Sequence, residues 1–498
     1  MRYHSTRNRS VTVNARQALM QGLCEDGGLY VSDELGATPM DLNGLLHQDY
    51  LTLATTVLHA LLDDFTESEL QEAVRNAYVG KFTHEAITPV SALGKDWLLE
   101  LYHGPTSAFK DVALCLLPQL MSAVLRETGE RVMIATATSG DTGKAALSGF
   151  ADVPHIGIAV FYPEGKVSAL QRLQMVTQTG SNVAVAAVEG NFDDVQSAVK
   201  RLFKSAHHDG FIPGVRLSSA NSINIGRLVP QVVYYFDAYR QLVNRGVIAL
   251  GEPVDFSVPT GNFGDVLAGY FAKRMGLPVR HFIVASNTNH VLTDFITTGV
   301  YDRRRAFEKT ISPSMDILIS SNLERLLYYV SEGNDALVKT LMQQLETQGR
   351  YEVPAELLAR IQSVFLSGWA NDDETRETIR SVWKNEHRLI DPHTAVAVHV
   401  ARKVRSTEDT TPLIVVSTAS PYKFCQDVYR ALAGELDGCG VNEFAYMKAL
   451  ARLTQTTPPA ALADLERAEV LHTRTLNVDG LPAFVRASAE RAFSKPSE

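Results

Sequence analysis

RVMIATATSGDTGKAAL, Arg131 to Leu147, decides the class of fold. It opens on a β-branched apolar run, crosses a loop containing Gly140 and Gly143, and enters a segment of helical spacing near Thr142. Outward from it the same unit recurs. HIGIAVFY, NVAVAAV, PVDFSVPT, VRHFIVAS and PLIVVST are short apolar runs, and helical stretches such as DDVQSAVKRLFKSA and DVLAGYFAKRMG lie between them. Strands buried on both faces and alternating with helices form βαβ units on a parallel sheet. The fold class is therefore α/β.

Ahead of Arg131 the pattern is mainly helical: Leu51 to Leu61, Glu67 to Tyr78, and a long helix from about Phe109. Pro118 should kink that helix near Leu114, because proline cannot donate to the carbonyl four residues back. Between about Val300 and His387 helical, charged segments return, and the stretch after Phe424 is strand-poor. The expected organisation is a helical N-terminal domain over 1–93 and a large α/β domain over 94–130 and 210–425, with a helical insertion at about 300–387. A small α/β domain over 131–209 and a helical tail over 426–498 complete it.

The 498 residues carry 47 basic and 56 acidic side chains, a net charge of −9. With no basic excess to displace counterions, a nucleic-acid partner is not expected. Arg303, Arg304 and Arg305 read as a solvated turn. No apolar run approaches the roughly 18 residues of a membrane span, so no membrane partner is expected. The polar start MRYHSTRNRS is unlike a secretory signal, and the cytoplasm is the expected location. Cys24, Cys115, Cys425 and Cys439 form no CxxC pair, so neither a disulfide framework nor a metal site is expected.

Four loops stand where α/β proteins bind ligands, at strand ends. In HGPTSAFKD, His103 to Asp111, Thr106 or Ser107 can cap the helix that follows. Lys110 then sits at the helix entrance, where the helix field disfavours an ammonium and favours a neutral amine. In ATSGDTGKAAL, Ala137 to Leu147, backbone N–H groups and the hydroxyls of Thr138, Ser139 and Thr142 suit a carboxylate or a phosphate. VPTGNFGDVLAG, Val258 to Gly269, lacks the GK[ST] of a Walker loop, but Gly261 and Gly264 allow backbone donors close to a phosphate. In VVSTASPYKF, Val415 to Phe424, Thr418 or Ser420 offers a neutral hydrogen-bond partner. One placed lysine and several phosphate-friendly loops fit a phosphate-bearing carbonyl cofactor such as pyridoxal phosphate.

The motifs HGPTSAFKD, ATSGDTG, SANSINIGRLVPQVVYY, PTGNFGDVLAGYFAKRMGLP, SPSMDILISSNLERLL and STASPYKF, in this order, resemble the threonine synthase family. YHSTRN and DGGLYV resemble its N-terminal domain. The resemblance thins between about Thr340 and His387 and in the tail. It implies a fold-type II pyridoxal 5'-phosphate enzyme, similar in fold to the tryptophan synthase β subunit. Such an enzyme converts O-phospho-L-homoserine and water to L-threonine and phosphate; the expected assembly, which the sequence leaves open, is a monomer or homodimer. By the same resemblance Lys110 is the Schiff-base lysine. Gly261, Asn262, Phe263, Gly264 and Asp265 hold the cofactor phosphate, with the Asp265 carboxylate turned away. Thr418 meets the pyridine nitrogen; a hydroxyl there leaves the ring a gentler electron sink than an acid would. Thr138, Ser139, Gly140, Asp141 and Thr142 surround the substrate carboxylate. Asn221, Ser222 and Arg227 grip its phosphate, with Lys166 a weaker candidate. Apart from His103 at the head of the first loop, no histidine lies in these loops, and the released phosphate is the expected base for water addition.

Three residues depart from the family's commonest pattern: Pro118, Ser107 where leucine is usual, and Ser420 where some members carry histidine. An acid–base role at position 420 is therefore not expected. Three other readings remain. A phospho-lyase that stops at 2-oxobutyrate would share the same loops. A non-catalytic paralogue should have lost Lys110, and a nucleotide-binding module should carry GK[ST].

Overall fold

The computed structural model describes residues 1–138, 140–209, 211–436 and 441–494. All six apolar runs are strands: Arg131–Ala137, Ile156–Pro163, Val183–Val188, Val254–Pro259, Val279–Ser286 and Leu413–Ser417. Their side chains are almost all buried. They divide between two sheets. The larger has six strands, in the order Phe365–Trp369, Val279–Ser286, Val254–Pro259, Leu413–Ser417, Asp96–Glu100, Val90–Leu93. All its pairs are parallel except the last, an antiparallel hairpin at the edge.

The smaller sheet is parallel throughout and has five strands. Two of them lie outside the 131–209 span expected for this domain. Val215–Ser218 forms one edge, and Thr475–Leu476 from the tail forms the other. The tail helix Leu481–Phe493 buries Leu481, Val485 and Ala489 in the same core. The end of the tail is thus part of the small domain, whereas its helix Glu443–Thr454 buries Phe444, Met447 and Leu450 in a core shared with the large sheet. Its strand is two residues long, too short to leave a periodic signal.

Other short strands also escaped the helical reading. Tyr3–Ser5 pairs antiparallel with Asn8–Val13 and with Tyr30–Val31. Phe365–Trp369, inside the expected helical insertion, is an edge strand of the large sheet. The helices Tyr50–Leu61 and Glu67–Tyr78 stand where their apolar spacing puts them.

The long helix spans Lys110–Thr128 and runs unbroken through Pro118. Pro118 has no N–H to give the Leu114 carbonyl. Against that carbonyl lies Gly149 of the helix Asp141–Phe150, where a Cβ would come within 1.8 Å of the Leu114 oxygen. This close approach packs the last turn of that helix, which Asp141 begins, against the helix that Lys110 begins.

Candidate active site

Lys110 enters the site because its loop is stitched to the end of a central strand. The Phe109 N–H donates to the Thr418 carbonyl at 2.8 Å, and the Ser420 N–H donates to the Ser107 carbonyl at 3.0 Å. Ser107 adopts the left-handed conformation, φ 58°, to make the turn. Neither Thr106 nor Ser107 caps the helix as expected: the N-cap position is Phe109 and no side chain caps it. The bond runs the other way. The Asp111 carboxylate accepts from the Thr106 N–H at 2.8 Å and from its hydroxyl at 2.6 Å, and the rigid loop aims Lys110 inward.

The Lys110 side chain is 13% exposed, and Nζ lies 3.5 Å from Ser314 Oγ and 3.8 Å from Asp141 Oδ2. Burial pushes its ammonium down to about 8; the Asp141 carboxylate opposes this, and the charges of Lys423 and Arg227 add to it. Asp141 receives four groups. Lys423 Nζ and Gln171 Nε2 reach Oδ1 at 3.1 and 3.0 Å, and the Ser314 hydroxyl donates to Oδ2 at 3.0 Å, on the side facing Lys110. Burial works to raise this carboxyl, yet Lys423, Lys110 and the Gln171 hydrogen bond hold it well below the usual carboxylate range. A carboxylate so committed repels a second one. Asp141 therefore has only its backbone to offer a substrate carboxylate.

Thr138 is likewise spent: its hydroxyl accepts from the N–H groups of Gly140 and Gly143 at 3.0 and 2.9 Å, capping the helix it precedes. Gly140, at φ 146°, starts that helix, and Thr142 lies in its first turn. Ser139 lies outside the described residues.

In the third loop Phe263 takes the left-handed conformation, φ 61°, and turns the chain into the helix Gly264–Arg274. A Cβ at Gly261 would come within 2.8 Å of the Ser314 carbonyl, so glycine is needed where the two loops touch. The carbonyls of Gly261 and Asn262 accept from Ser320 Oγ at 2.8 Å and from the Asn322 N–H at 3.1 Å. The N–H groups of Gly261 to Asp265 find no acceptor among the described residues. Asp265 turns its carboxylate away from this cradle: Oδ1 accepts from the hydroxyls of Tyr234 and Tyr235 at 2.5 and 2.8 Å. Burial pushes it up to about 6, against those two bonds. Five free donors at a helix N-terminus suit a dianionic phosphate. The Thr418 hydroxyl, on a residue 6% exposed, bonds no described residue and is free for a ring nitrogen. A lysine, a phosphate cradle and a hydroxyl so arranged fit pyridoxal phosphate.

Arg227 stands in the first turn of the helix Ile225–Asn244, 4% exposed. Its Nη1 donates to the Ala220 carbonyl at 2.7 Å, while Nε has no partner. Burial lowers the guanidinium to about 10, so it stays charged at neutral pH. Asn221 accepts weakly from the Thr136 hydroxyl at 3.4 Å, and the Ser222 carbonyl accepts from Asn322 Nδ2 at 3.2 Å. Lys166 is different. It is exposed on the turn after Ile156–Pro163, and its ammonium meets no described carboxylate.

Four residues of the site carried no expected role. Ser314 and Lys423 stand inside quoted motifs. Gln171 reaches in from the helix Ala169–Val176, and His393 backs Ser314 from behind. The His393 Nε2 accepts from the Ser314 N–H at 3.1 Å, which leaves Nδ1–H to donate to Asp391 at 2.7 Å. Ser420 Oγ accepts from the Tyr422 N–H and caps a short 3-10 turn. The SSNLERLL motif serves the N-terminus: Glu324 accepts from Thr6 and Arg7, and Arg325, fully buried, donates to the carbonyls of Tyr30 and Ile223.

Comparison with known proteins bears on all of this. The profile of the family described as pyridoxal-phosphate dependent enzyme matches residues 83–418. Those described as threonine synthase N terminus and threonine synthase, C-terminal match 2–78 and 394–477. The chain is 41% identical over 441 residues to a threonine synthase of Pseudomonas aeruginosa, covering 87% of this chain and 91% of that one. The crystal structure of PLP-bound threonine synthase from Brucella melitensis superposes with a TM-score of 0.87 at 38% identity, covering 98% and 99% of the two chains. The yeast threonine synthase structure gives 0.87 at 31%, covering 99% of each. The match runs from the N-terminal strands through both sheets to the tail, and the chain belongs to the threonine synthase family of fold-type II, pyridoxal-phosphate-dependent enzymes.

Proposed function

We propose that this chain converts O-phospho-L-homoserine and water to L-threonine and phosphate, the last step of threonine biosynthesis. One observation carries the reading: a buried lysine amine, pushed down to about 8, shares a pocket with five unpaired backbone donors and a buried arginine. Bound there, pyridoxal phosphate supplies an electron sink conjugated to the substrate amine, which acidifies Cα and then Cβ. The backbone of Gly261, Asn262, Phe263, Gly264 and Asp265 would hold the cofactor phosphate, and Thr418 its ring nitrogen.

Arg227 offers the substrate phosphate a fixed, desolvated fork, with Asn221 and Ser222 beside it; guanidinium–phosphate pairing is both strong and directional. The helix start would take the α-carboxylate through the N–H groups of Asp141 and Thr142, with Gly140 and Ser139 beside them. Lys110, freed when the substrate amine takes its place, accepts the Cα proton; its lowered pKa keeps part of the amine neutral near pH 7. It then moves a proton from Cβ, and phosphate leaves Cγ towards Arg227. A proton returns to Cγ and completes the methyl group; water then adds at Cβ with the departing phosphate taking its proton, and Cα regains a proton from Lys110. His393 cannot replace the phosphate as base, since its Nε2 is committed to the Ser314 backbone. Lys166 has no part in this scheme. The enzyme is placed in the cytoplasm, as a monomer or homodimer. Among the described residues Cys24, Cys115 and Cys425 form no disulfide, as a reducing compartment allows.

Lys110→Ala should abolish both the visible absorbance of the bound cofactor and turnover; survival of either removes Lys110 from the role. Arg227→Ala should weaken phosphohomoserine binding while leaving that absorbance intact. Equimolar threonine and phosphate are the expected products, and 2-oxobutyrate with ammonia would replace this reading by the lyase.

A further inference from the structure

We propose that Lys423 is a positioning residue: its buried ammonium pins the Asp141 carboxylate across the two domains and keeps it from closing on Lys110, whose amine stays free to exchange protons. The inference rests on Lys110 being the cofactor lysine.

The Lys423 side chain is 0% exposed. Lysine is almost never buried without a charged partner, because its desolvation must be offset. Lys423 has two partners from different parts of the chain. It donates to the Thr106 carbonyl at 2.9 Å and faces Asp141 Oδ1 at 3.1 Å. Its own position, in the turn Pro421–Phe424 after the strand Leu413–Ser417, joins the large sheet to the Lys110 loop and to the first turn of the small-domain helix. One ammonium therefore holds together the three segments that frame the cofactor lysine.

The distances show how Asp141 is divided. Its short ionic contact is with Lys423, while Lys110 stands back at 3.8 Å with the Ser314 hydroxyl between. Ser314 is fixed from behind by His393, itself held by Asp391. A carboxylate with a single cation closes on it; with two, it divides between them. Without Lys423, Asp141 would have Lys110 as its one cationic neighbour, and the ion pair would lock that lysine as an ammonium unable to take a proton from Cα. The other charges facing Lys110 are Arg227, from the helix Ile225–Asn244, and Asp111, from its own helix. Neither contacts Asp141, so neither can replace Lys423 in this sharing.

The test is a pH titration of the holoenzyme's visible absorbance, which reads protonation at Lys110 Nζ, in four variants. Lys423→Met, and Lys423→Gln, which still donates but carries no charge, should raise the half-point by about one unit, a tenfold loss of the neutral form at fixed pH. Lys423→Arg should restore it. Asp141→Asn should move it the other way, because the counter-charge is gone. The acid limb of kcat should follow the same shifts, with KM for phosphohomoserine changing less. A merely structural lysine would lower activity in all variants without moving the half-point. An unmoved half-point in Lys423→Gln, or a shift of the same sign as in Asp141→Asn, overturns the proposal. Persistence of the absorbance in Lys110→Ala would instead overturn the assignment of Lys110, and the two failures are distinguishable.

Discussion

Asp141 and Asp265 are the same device by sequence and opposite devices in space. Each follows a buried strand and a glycine-containing loop, stands in the first turn of a helix, and is 7% exposed. Asp141 faces Lys423, Lys110, Gln171 and Ser314 and is held well below the usual carboxylate range. Asp265 faces two tyrosine hydroxyls and no cation, and is pushed up to about 6. Burial acts alike on both, so the partners decide. One acid is built to hold charge beside the cofactor lysine. The other is turned away from a phosphate cradle that a second anion would spoil.

The comparison extends to how each helix is seated, and that is where it breaks most severely. Gly149 sits on the Leu114 carbonyl, an immovable backbone atom, whereas a Cβ at Gly269 would meet the rings of Phe282 and Tyr235 at 2.5 and 2.8 Å. Gly149→Ala should therefore cost about 3 kcal/mol or more and part Asp141 from Lys110. Urea denaturation with a cofactor-binding titration measures both losses. Gly269→Ala should cost less, about 1–3 kcal/mol, because aromatic rings can shift. A loss equal to that of Gly149→Ala would show that the backbone contact is not special.

The acids themselves can be separated by pH. The Asp265 carboxyl is raised on folding, so its contribution to stability is full below about pH 4 and is lost as pH rises through 6, by roughly 2–3 kcal/mol. Asp265→Asn should flatten that part of the curve, read by denaturation between pH 4 and 8. The Asp141 carboxyl is depressed on folding, so its contribution is present above about pH 4 and is lost in acid below it. Asp141→Asn should remove the acid-side slope and leave the neutral range level. Slopes of the same sign in the two variants would sink the contrast. The smallest effect is at a cap. Thr138→Ala should cost about 1 kcal/mol, since its hydroxyl accepts from the N–H groups of Gly140 and Gly143, whereas the N–H groups of the Asp265 loop have no side-chain acceptor among the described residues.

Much of this was legible in the chain itself. Six apolar runs gave six strands, because a strand buried on both faces needs continuous apolar sequence. The glycine loops and Lys110 stood out because backbone conformation and strand-end position are local properties. The motifs carried the family, and Lys423 and Ser314 were in view without a role. A charged side chain in a motif reads as solvated until its partner is known, and the partner of Lys423 is 282 positions away in the sequence, at Asp141. Gln171 and His393 had no local mark at all. The short strand Thr475–Leu476 was invisible for a related reason: two residues have no period, and only the open edge of the small sheet makes them a strand. Local chemistry is thus determined by the sequence, through φ, hydrogen-bonding capacity and apolar spacing. Which buried charge meets which was decided by the tertiary structure, because Coulomb and desolvation energies depend on distances that only the packed chain sets.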